Sequence, residues 1–178
     1  GGMSVRLISL FKLLLRKVPA TTAIITTVAS AFFGALTGST LATVAAIGGI
    51  TIPLMEKAGY SKGDASAIVA ASGILGPIIP PSITMIAYAI IAGVSISTMF
   101  LAGLIPGIHT PISYIIVELI RYRKYEKGVK KKLPKGELWK SFKNSLLASL
   151  MPIIILGGIY GGVFTPTEAA MVACIYSL

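Results

Sequence analysis

The sequence has little charge, one cysteine and one histidine. Charged residues make up 12% of its 178 residues, and only six residues are acidic, whereas soluble domains carry about 25% charged residues. This shortage argues against a water-soluble domain of ordinary size. The single cysteine, Cys174, excludes an internal disulfide, and we expect it to be a small packing residue.

The sequence also lacks the residue sets that most enzymes need. It has no H-E-x-x-H motif, no aspartate pair within an apolar run and no Ser/His/Asp set, so we expect neither an enzyme nor a transition-metal site. His109 could relay protons at membrane depth, but it has no acidic neighbour in sequence, and we favour a neutral, hydrogen-bonded packing residue. Nucleic acid is not an expected partner, because the basic residues lie in a loop and not on a folded surface with interleaved aromatic side chains.

Apolar residues dominate what is present. They make up 54% of the chain and give a mean hydropathy of +0.86. Their long runs are Ala20 to Pro53, Ala65 to Ile120 and Leu146 to Leu178. Runs of this length are typical of helices that cross a bilayer, so the sequence predicts an all-α integral membrane protein.

One apolar run, Ala65 to Ala92, is interrupted by residues that break helices. The interruption is Gly76-Pro77-Ile78-Ile79-Pro80-Pro81-Ser82. Each proline lacks an N–H donor and clashes with the carbonyl one turn back, and neither flanking half is long enough to cross alone. We therefore predict a broken transmembrane helix. Unpaired backbone at membrane depth is tolerated only where it is buried in protein or lines a watery cavity, so this break is a candidate site.

A second interruption divides residues 19–56 into two limbs. The second limb, Leu41 to Pro53, spans only ~20 Å as a helix, which favours a re-entrant hairpin over two full spans. Its tip is rich in small and hydroxyl residues: Gly34, Thr37, Gly38, Ser39, Thr40 and Thr43. Oxygens there could bind sodium and N–H groups a carboxylate, or the glycines could only allow close helix packing.

The remaining segments complete the predicted organisation. Residues 1–18 form an amphipathic interfacial helix without a signal-peptide pattern, with an apolar face of Leu7, Leu10, Phe11, Leu14 and Leu15. Residues 57–120 hold the broken span, started by a cap at Ser61 and Asp64, and a following span. Residues 121–145 form a basic connector, and 146–178 begin a further unit. There Thr165 and Glu168 form a capping box, unless Glu168 contacts a substrate or ion.

The distribution of basic residues predicts the orientation in the membrane. Ten of the sixteen lysines and arginines lie between Arg121 and Lys143. If residues 19–56 return to their starting side, all the basic segments fall on one face, which is the cytoplasmic one by the positive-inside rule. The loop 121–143 is then cytoplasmic and can also meet anionic membrane lipid.

Four blocks of the sequence form a specific combination: Gly34 to Thr43 with Ile52-Pro53 and Gly59-Tyr60, Leu75 to Ile83, Phe100 to Gly107, and Gly157 to Ala170. These blocks resemble the large membrane subunit (DctM-like) of tripartite ATP-independent periplasmic (TRAP) transporters. The blocks follow the family's order over essentially the whole chain. Members of the family are more than twice this length, so the chain resembles the later part of a first repeat, its connector and the opening of a second repeat.

The resemblance implies an elevator-type, sodium-coupled importer of an organic anion, such as a C4-dicarboxylate or sugar acid, in a bacterial-type inner membrane. Its implied partners are a periplasmic binding protein and a small membrane subunit, and sodium is a coupling ion rather than a cofactor. On this basis we predict sodium at Ser39, Gly76, Pro77, Pro80 and Ser82. We predict the substrate at Gly38, Ser39, Thr40 and Pro81. The alternative is a non-transporting or truncated membrane scaffold.

Overall fold

The computed structural model describes residues 3–15, 17–126, 150–151 and 153–177. Within these ranges every regular element is a helix, as the apolar composition predicts. The helices are α1 (Met3–Leu15), α2 (Thr21–Thr37), α3 (Thr40–Lys57), α4 (Lys62–Gly73), α5 (Leu75–Ile78), α6 (Ile83–Ala92), α7 (Ile96–Tyr122), α8 (150–151 and 153–160) and α9 (Pro166–Ser177). The predicted connector lies largely outside the described residues, because 127–149 are not among them.

Helix α2 is the centre of the packing, in contact with α1, α3, α4, α5 and α7. Its length is almost free of large polar groups, yet four of its buried residues are threonines: Thr21, Thr22, Thr26 and Thr27. The hydroxyl of Thr26 donates a hydrogen bond of 2.8 Å to the carbonyl oxygen of Thr22, one turn earlier in the helix. Buried hydroxyls without such partners would destabilise the fold.

Helices α2 and α3 form the predicted hairpin, but its second limb is longer than expected. Helix α3 has 18 residues, or ~27 Å, because it continues through Pro53 to Lys57. The sequence prediction ended this limb at Pro53, the end of the predicted apolar run before Glu56 and Lys57. Proline inside a helix removes one backbone hydrogen bond, and packing against neighbouring helices tolerates that loss. The length of the limb is therefore no evidence for a re-entrant hairpin.

The predicted break between helices is present, and it is shorter than predicted. Helices α4 and α5 together meet α6 at a bend of 43°. Gly76 and Pro77, predicted in the unwound segment, lie instead inside the helical turn of α5. Pro77 is tolerated there because the first turn of a helix leaves its N–H groups without intrahelical partners. The non-helical segment is only 79–82, and it contains a cis peptide bond between Pro80 and Pro81.

Among the described residues, α7 is the only single helix long and apolar enough to cross a membrane, and the bent pair adds a second candidate. Its 27 residues extend ~40 Å, more than a hydrocarbon core of ~30 Å. Much of its surface is apolar and uncovered: Leu101, Ile105, Ile108, Ile112, Ile116, Val117 and Ile120 are all exposed. Such a surface is suited to lipid or to further membrane protein.

Helix α1 packs against the hairpin as well as having an apolar face. Ile8 and Phe11 are buried in a cluster with Ile25, Ala29 and Ile47. Leu14, assigned to the apolar face from sequence, is 57% exposed. The buried stripe is rotated from the predicted one because tertiary contacts with α2 and α3 select which side of α1 faces inward.

Candidate functional site

The turn between α2 and α3 is formed by two residues, Gly38 and Ser39. Gly38 has φ +60°, in the left-handed region, and its N–H donates to the carbonyl oxygen of Gly34 at 2.7 Å. This is a common way to end a helix, and glycine suits it because a Cβ is disfavoured in that conformation. Ser39 is extended and starts α3. The tip predicted from the small residues is therefore confirmed as a helix-to-helix turn.

Ser39 bonds locally within the tip. Its Oγ accepts a long hydrogen bond of 3.4 Å from the N–H of Ala42, so its side chain caps α3. Its carbonyl oxygen accepts from the hydroxyl of Thr43 at 2.8 Å. The Thr43 hydroxyl in turn lies 3.3 Å from that of Thr37. The tip is thus a compact group of hydroxyl and carbonyl oxygens.

The non-helical segment opposite the tip also has few backbone hydrogen bonds. The N–H of Ile79 donates to the carbonyl oxygen of Leu75 at 2.9 Å. The carbonyls of Gly76 and Pro77 would normally accept from the residues four positions later, but these are Pro80 and Pro81, which have no N–H. Two carbonyl oxygens therefore lack their usual helical donors at the break.

Ser82 closes the break. Its side chain is 1% exposed, and its Oγ lies 2.8 Å from the hydroxyl oxygen of Thr84. Its carbonyl oxygen accepts from the N–H of Ile86 at 3.1 Å as α6 begins. Thr84, which the sequence analysis did not single out, is therefore the hydrogen-bond partner of a predicted site residue.

The tip and the break touch through their backbones. A methyl group on Gly34 would lie 2.7 Å from Gly76 Cα, and one on Gly76 would lie 3.0 Å from the carbonyl oxygen of Ser39. A methyl group on Gly38 would lie 2.9 Å from the nitrogen of Ile83 and 3.4 Å from the carbonyl oxygen of Pro81. No side chain fits between these surfaces, so the structure joins two segments that lie about forty residues apart in sequence.

Not every predicted site residue takes part in this contact. Gly38, Ser39, Gly76, Pro81 and Ser82 come together. In contrast, the methyl group of Thr40 faces Gly73 of α4, and Pro77 is inside α5. Pro80 lines an apolar cavity of about 480 Å³ with Ala31, Phe32 and Ala35 of α2. No group of three or more His, Cys, Asp and Glu side chains is placed to hold a metal ion in the described part of the chain.

A second polar cluster lies between α2, α4 and α7. The hydroxyl of Thr27 donates to Glu118 Oε1 at 2.5 Å and lies 2.9 Å from the hydroxyl oxygen of Ser72. All three side chains are buried. The sequence analysis singled out none of these three residues, because their meeting depends on how three helices pack.

A third cluster ties the base of the hairpin to the end of α7. The Glu126 carboxylate accepts from both the N–H and the hydroxyl of Thr22 at 2.7 Å, and from the hydroxyl of Tyr60 at 3.1 Å. Burial and the neighbouring Glu126 carboxylate raise the pKa of Tyr60, which keeps this phenol neutral as a donor. The first residues of α2 thus have a capping partner 104 positions later in the chain.

The capping predictions are confirmed. Ser61 Oγ accepts from the N–H of Asp64 at 3.0 Å, and Asp64 also accepts from the hydroxyl of Tyr122 at 3.0 Å. Glu168 accepts from the N–H and hydroxyl of Thr165 at 2.8 and 2.9 Å. His109, expected to pack, is exposed among the described residues, because α7 turns that side away from the other helices.

Comparison with known proteins adds to this geometry. The family model described as "Tripartite ATP-independent periplasmic transporter, DctM component" matches residues 1–178. Because this match covers the whole chain, it includes the tip, the break and the buried polar clusters together.

Individual relatives match at substantial identity. The "Uncharacterized protein YgiK" of Salmonella typhimurium is 41% identical over 100% of this chain, which covers 41% of that protein. The "C4-dicarboxylate TRAP transporter large permease protein DctM" of Vibrio cholerae is 46% identical over 87% of this chain and 34% of its own length. The "Sialic acid TRAP transporter permease protein SiaT" of Haemophilus influenzae is 39% identical over 100% of this chain and 29% of its own length. The chain spans less than half the length of these relatives.

Proposed function

The chain belongs to the DctM family of tripartite ATP-independent periplasmic transporters, and we propose that it forms part of a membrane pathway for sodium-coupled import of an organic anion. The observation that carries this proposal is the backbone contact between the hairpin tip and the broken helix. Helix breaks at membrane depth are where secondary transporters bind substrates and coupling ions. The DctM relative of Vibrio cholerae is named for C4-dicarboxylates and SiaT for sialic acid, which supports an organic acid as the substrate class.

In this proposal sodium lies between the tip and the break. The carbonyls of Gly76 and Pro77, left without helical donors by Pro80 and Pro81, are suitable oxygen ligands, and the hydroxyls of Ser39 and Ser82 add two more. A cation gives up its water only where several oxygens replace it together. The absence of any charged side chain from the tip and break residues leaves the ion itself as the local positive charge.

The proposed substrate position is beside the same tip. The first turn of α3 begins at Ser39, so its N–H groups and the positive end of its dipole favour a carboxylate. A sodium ion on the neighbouring oxygens would attract the same carboxylate, so binding of the two would be coupled. We further propose a periplasmic binding protein and a small membrane subunit as partners, an elevator movement, and an inner-membrane location with the basic loop on the cytoplasmic side.

Replacing Ser39 tests the ion site. We expect Ser39→Ala to require several-fold more sodium for half-maximal uptake, because a hydroxyl ligand is lost. The matched control is Ser61→Ala, which removes a similar helix cap from α4 far from the tip. Removing a cap alone costs about 1 kcal/mol, so both variants lose some stability. An equal sodium requirement in Ser39→Ala and Ser61→Ala would contradict the assignment of Ser39.

Uptake of labelled organic acids tests the function as a whole. The protein at its natural length would be produced with its small membrane subunit, and vesicles assayed with and without an inward sodium gradient and the binding protein. We expect uptake only when both are present. If no acid is taken up although the protein is in the membrane, the scaffold alternative replaces the transport proposal.

A further inference from the structure

Glu118 is a buried carboxyl group with only half of its hydrogen-bonding capacity used. Its side chain is 4% exposed, on the last turns of α7. Oε1 accepts from Thr27, whereas Oε2 is buried and has no hydrogen-bond partner among the described residues. A buried carboxylate without a partner is strongly unfavourable. Something other than these residues must therefore neutralise or solvate Oε2.

The surrounding charges do not neutralise it. Asp64 of α4 is the other carboxylate that lines the same groove. It lies 3.8 Å from Arg121, and the two residues form the only ion pair among the described residues. The remaining titratable groups around Glu118 are phenols. Tyr114 and Tyr122 of α7 line the groove, and Tyr60, before α4, interacts electrostatically with Glu118. Helix α2 contributes no titratable side chain. Arg121 and Asp64 offset each other, so one negative charge is left over at Glu118 when it is ionised.

A groove lies beside this carboxyl group. It lies between α4 and α7, has a volume of about 450 Å³, and is lined by Glu118, Ser72, Asp64 and Tyr114 among other residues. Its position is separate from the tip and the break, since none of those residues lines it. The groove is roomy enough for water molecules beside Glu118.

The oxygens available fit a proton better than a metal ion. Hard cations such as Ca²⁺ take about six to eight oxygen ligands, whereas the hydrogen bonds of the described residues bring only the Thr27 and Ser72 hydroxyls to this carboxyl group. A proton needs one acceptor. Because the Thr27 hydroxyl donates to Oε1, the hydrogen is placed on Oε2, which has no partner among the described residues.

We propose that Glu118 is a reversible proton-binding site, held by Thr27 and Ser72 beside the groove between α4 and α7. Protonation forms an O–H bond on Oε2 and converts one hydronium ion of the surrounding solution to water. Ionisation breaks that bond and transfers the proton back to a water molecule. The site is independent of the sodium proposal, and its charge state acts on the packing of α7 against α2 and α4.

Thermal stability measured against pH tests this site without requiring transport. The purified protein at its natural length would be melted across roughly pH 5 to 9, as wild type, Glu118→Gln and Glu56→Gln. Glutamine imitates the protonated carboxyl group, and Glu56 is an exposed glutamate of α3 that controls for lost charge. Ionisation of a buried group is penalised, so we expect wild type and Glu56→Gln to lose several degrees of melting temperature as pH rises, and Glu118→Gln to lose much less. Identical pH dependence in all three proteins would overturn the proposal.

Two further arms keep the test decisive if Glu118→Gln fails to fold. Thr27→Val removes the donor to Oε1 with little change in shape, and because that donor favours the ionised form, the pH transition should move upward. An unmoved transition in Thr27→Val would overturn the proposal. Repeating the wild-type series in sodium and in choline salts at equal ionic strength distinguishes a proton from a metal ion. A stabilisation that follows sodium rather than pH would also overturn it.

Discussion

Gly38 has two roles at the tip, and both require that it has no side chain. It adopts the conformation of the turn, and it lets the tip contact the break. Its φ of +60° is strained for any residue with a Cβ, and a methyl group there would lie 2.9 Å from the backbone nitrogen of Ile83. Neither backbone can retreat easily, because Gly34 and Gly76 hold the same two segments together one turn away. A single carbon atom at this position is therefore expected to separate the two halves of the proposed site.

We expect Gly38→Ala to lower the melting temperature and abolish uptake. The left-handed conformation costs a residue with a Cβ about 1–2 kcal/mol, and the clash with Ile83 adds to this. The control is Gly49→Ala in the middle of α3, where an added methyl group meets nothing within 4 Å. There alanine should be neutral or stabilise by roughly 0.5–1 kcal/mol. Equal stability and uptake in the two variants, measured by thermal melting and vesicle transport, would contradict the tip geometry.

At the scale of the elements, the hairpin is fixed at its base as well as at its tip. Glu126 follows α7 and bonds to Thr22 at the start of α2 and to Tyr60 after α3. The rings of Tyr60 and Tyr125 stack beside this carboxylate, with centroids 4.8 Å apart. Glu126, which follows the end of α7, therefore bonds to both ends of the hairpin. If the hairpin moves relative to α7, these bonds must break or Glu126 must move with the hairpin.

Truncating Glu126 tests whether this connection stabilises the hairpin. Hydrogen bonds to a charged group are worth about 1.5–3 kcal/mol, and Glu126→Ala removes three acceptor contacts while leaving Thr22 without its cap. We expect a fall in unfolding free energy of roughly that size, measured by denaturant or thermal unfolding. Glu56→Ala, at an exposed position, should change little. If the two variants unfold alike, the connection contributes nothing to stability.

At the scale of the whole molecule, charge and apolar surface define how the chain is placed in a membrane. The net charge of +10 comes mostly from one segment after α7. The uncovered apolar side of α7 is available for lipid or for other parts of a longer protein. If the hairpin returns to its starting side, we expect Lys57, Lys62 and the basic loop to share the cytoplasmic face and Ser95 to lie on the periplasmic face.

Labelling of single cysteines tests this orientation. In a Cys174→Ser background, Lys62→Cys and Ser95→Cys place thiols at exposed positions at opposite ends of the bent span. We expect a membrane-impermeant maleimide to label Ser95→Cys in intact spheroplasts and Lys62→Cys only after the membrane is opened. Labelling of both positions from one side would contradict the proposed topology, and the reverse pattern would invert it.

The correspondence between sequence and structure differs from one element to the next. The bend before α6, the turn at Gly38 and the caps at Ser61 and Thr165 follow from local rules for proline, glycine and hydroxyl residues, and all are present. The end of α3 and the start of the break were placed wrongly. Whether a helix tolerates a proline in its interior or first turn depends on the helices packed against it. The local sequence pattern does not show which helices these are.

The sequence by itself determined the membrane class, the helical composition, the tip and the break, because apolar run length and the backbone limits of proline and glycine act within a few residues. Only the tertiary structure decided that Gly34 and Gly38 lie against Gly76 and Ser82. It alone placed Thr27 beside Glu118, 91 positions away. Such contacts depend on which helix faces pack together, and the packing of several helices is a collective property that no local pattern encodes.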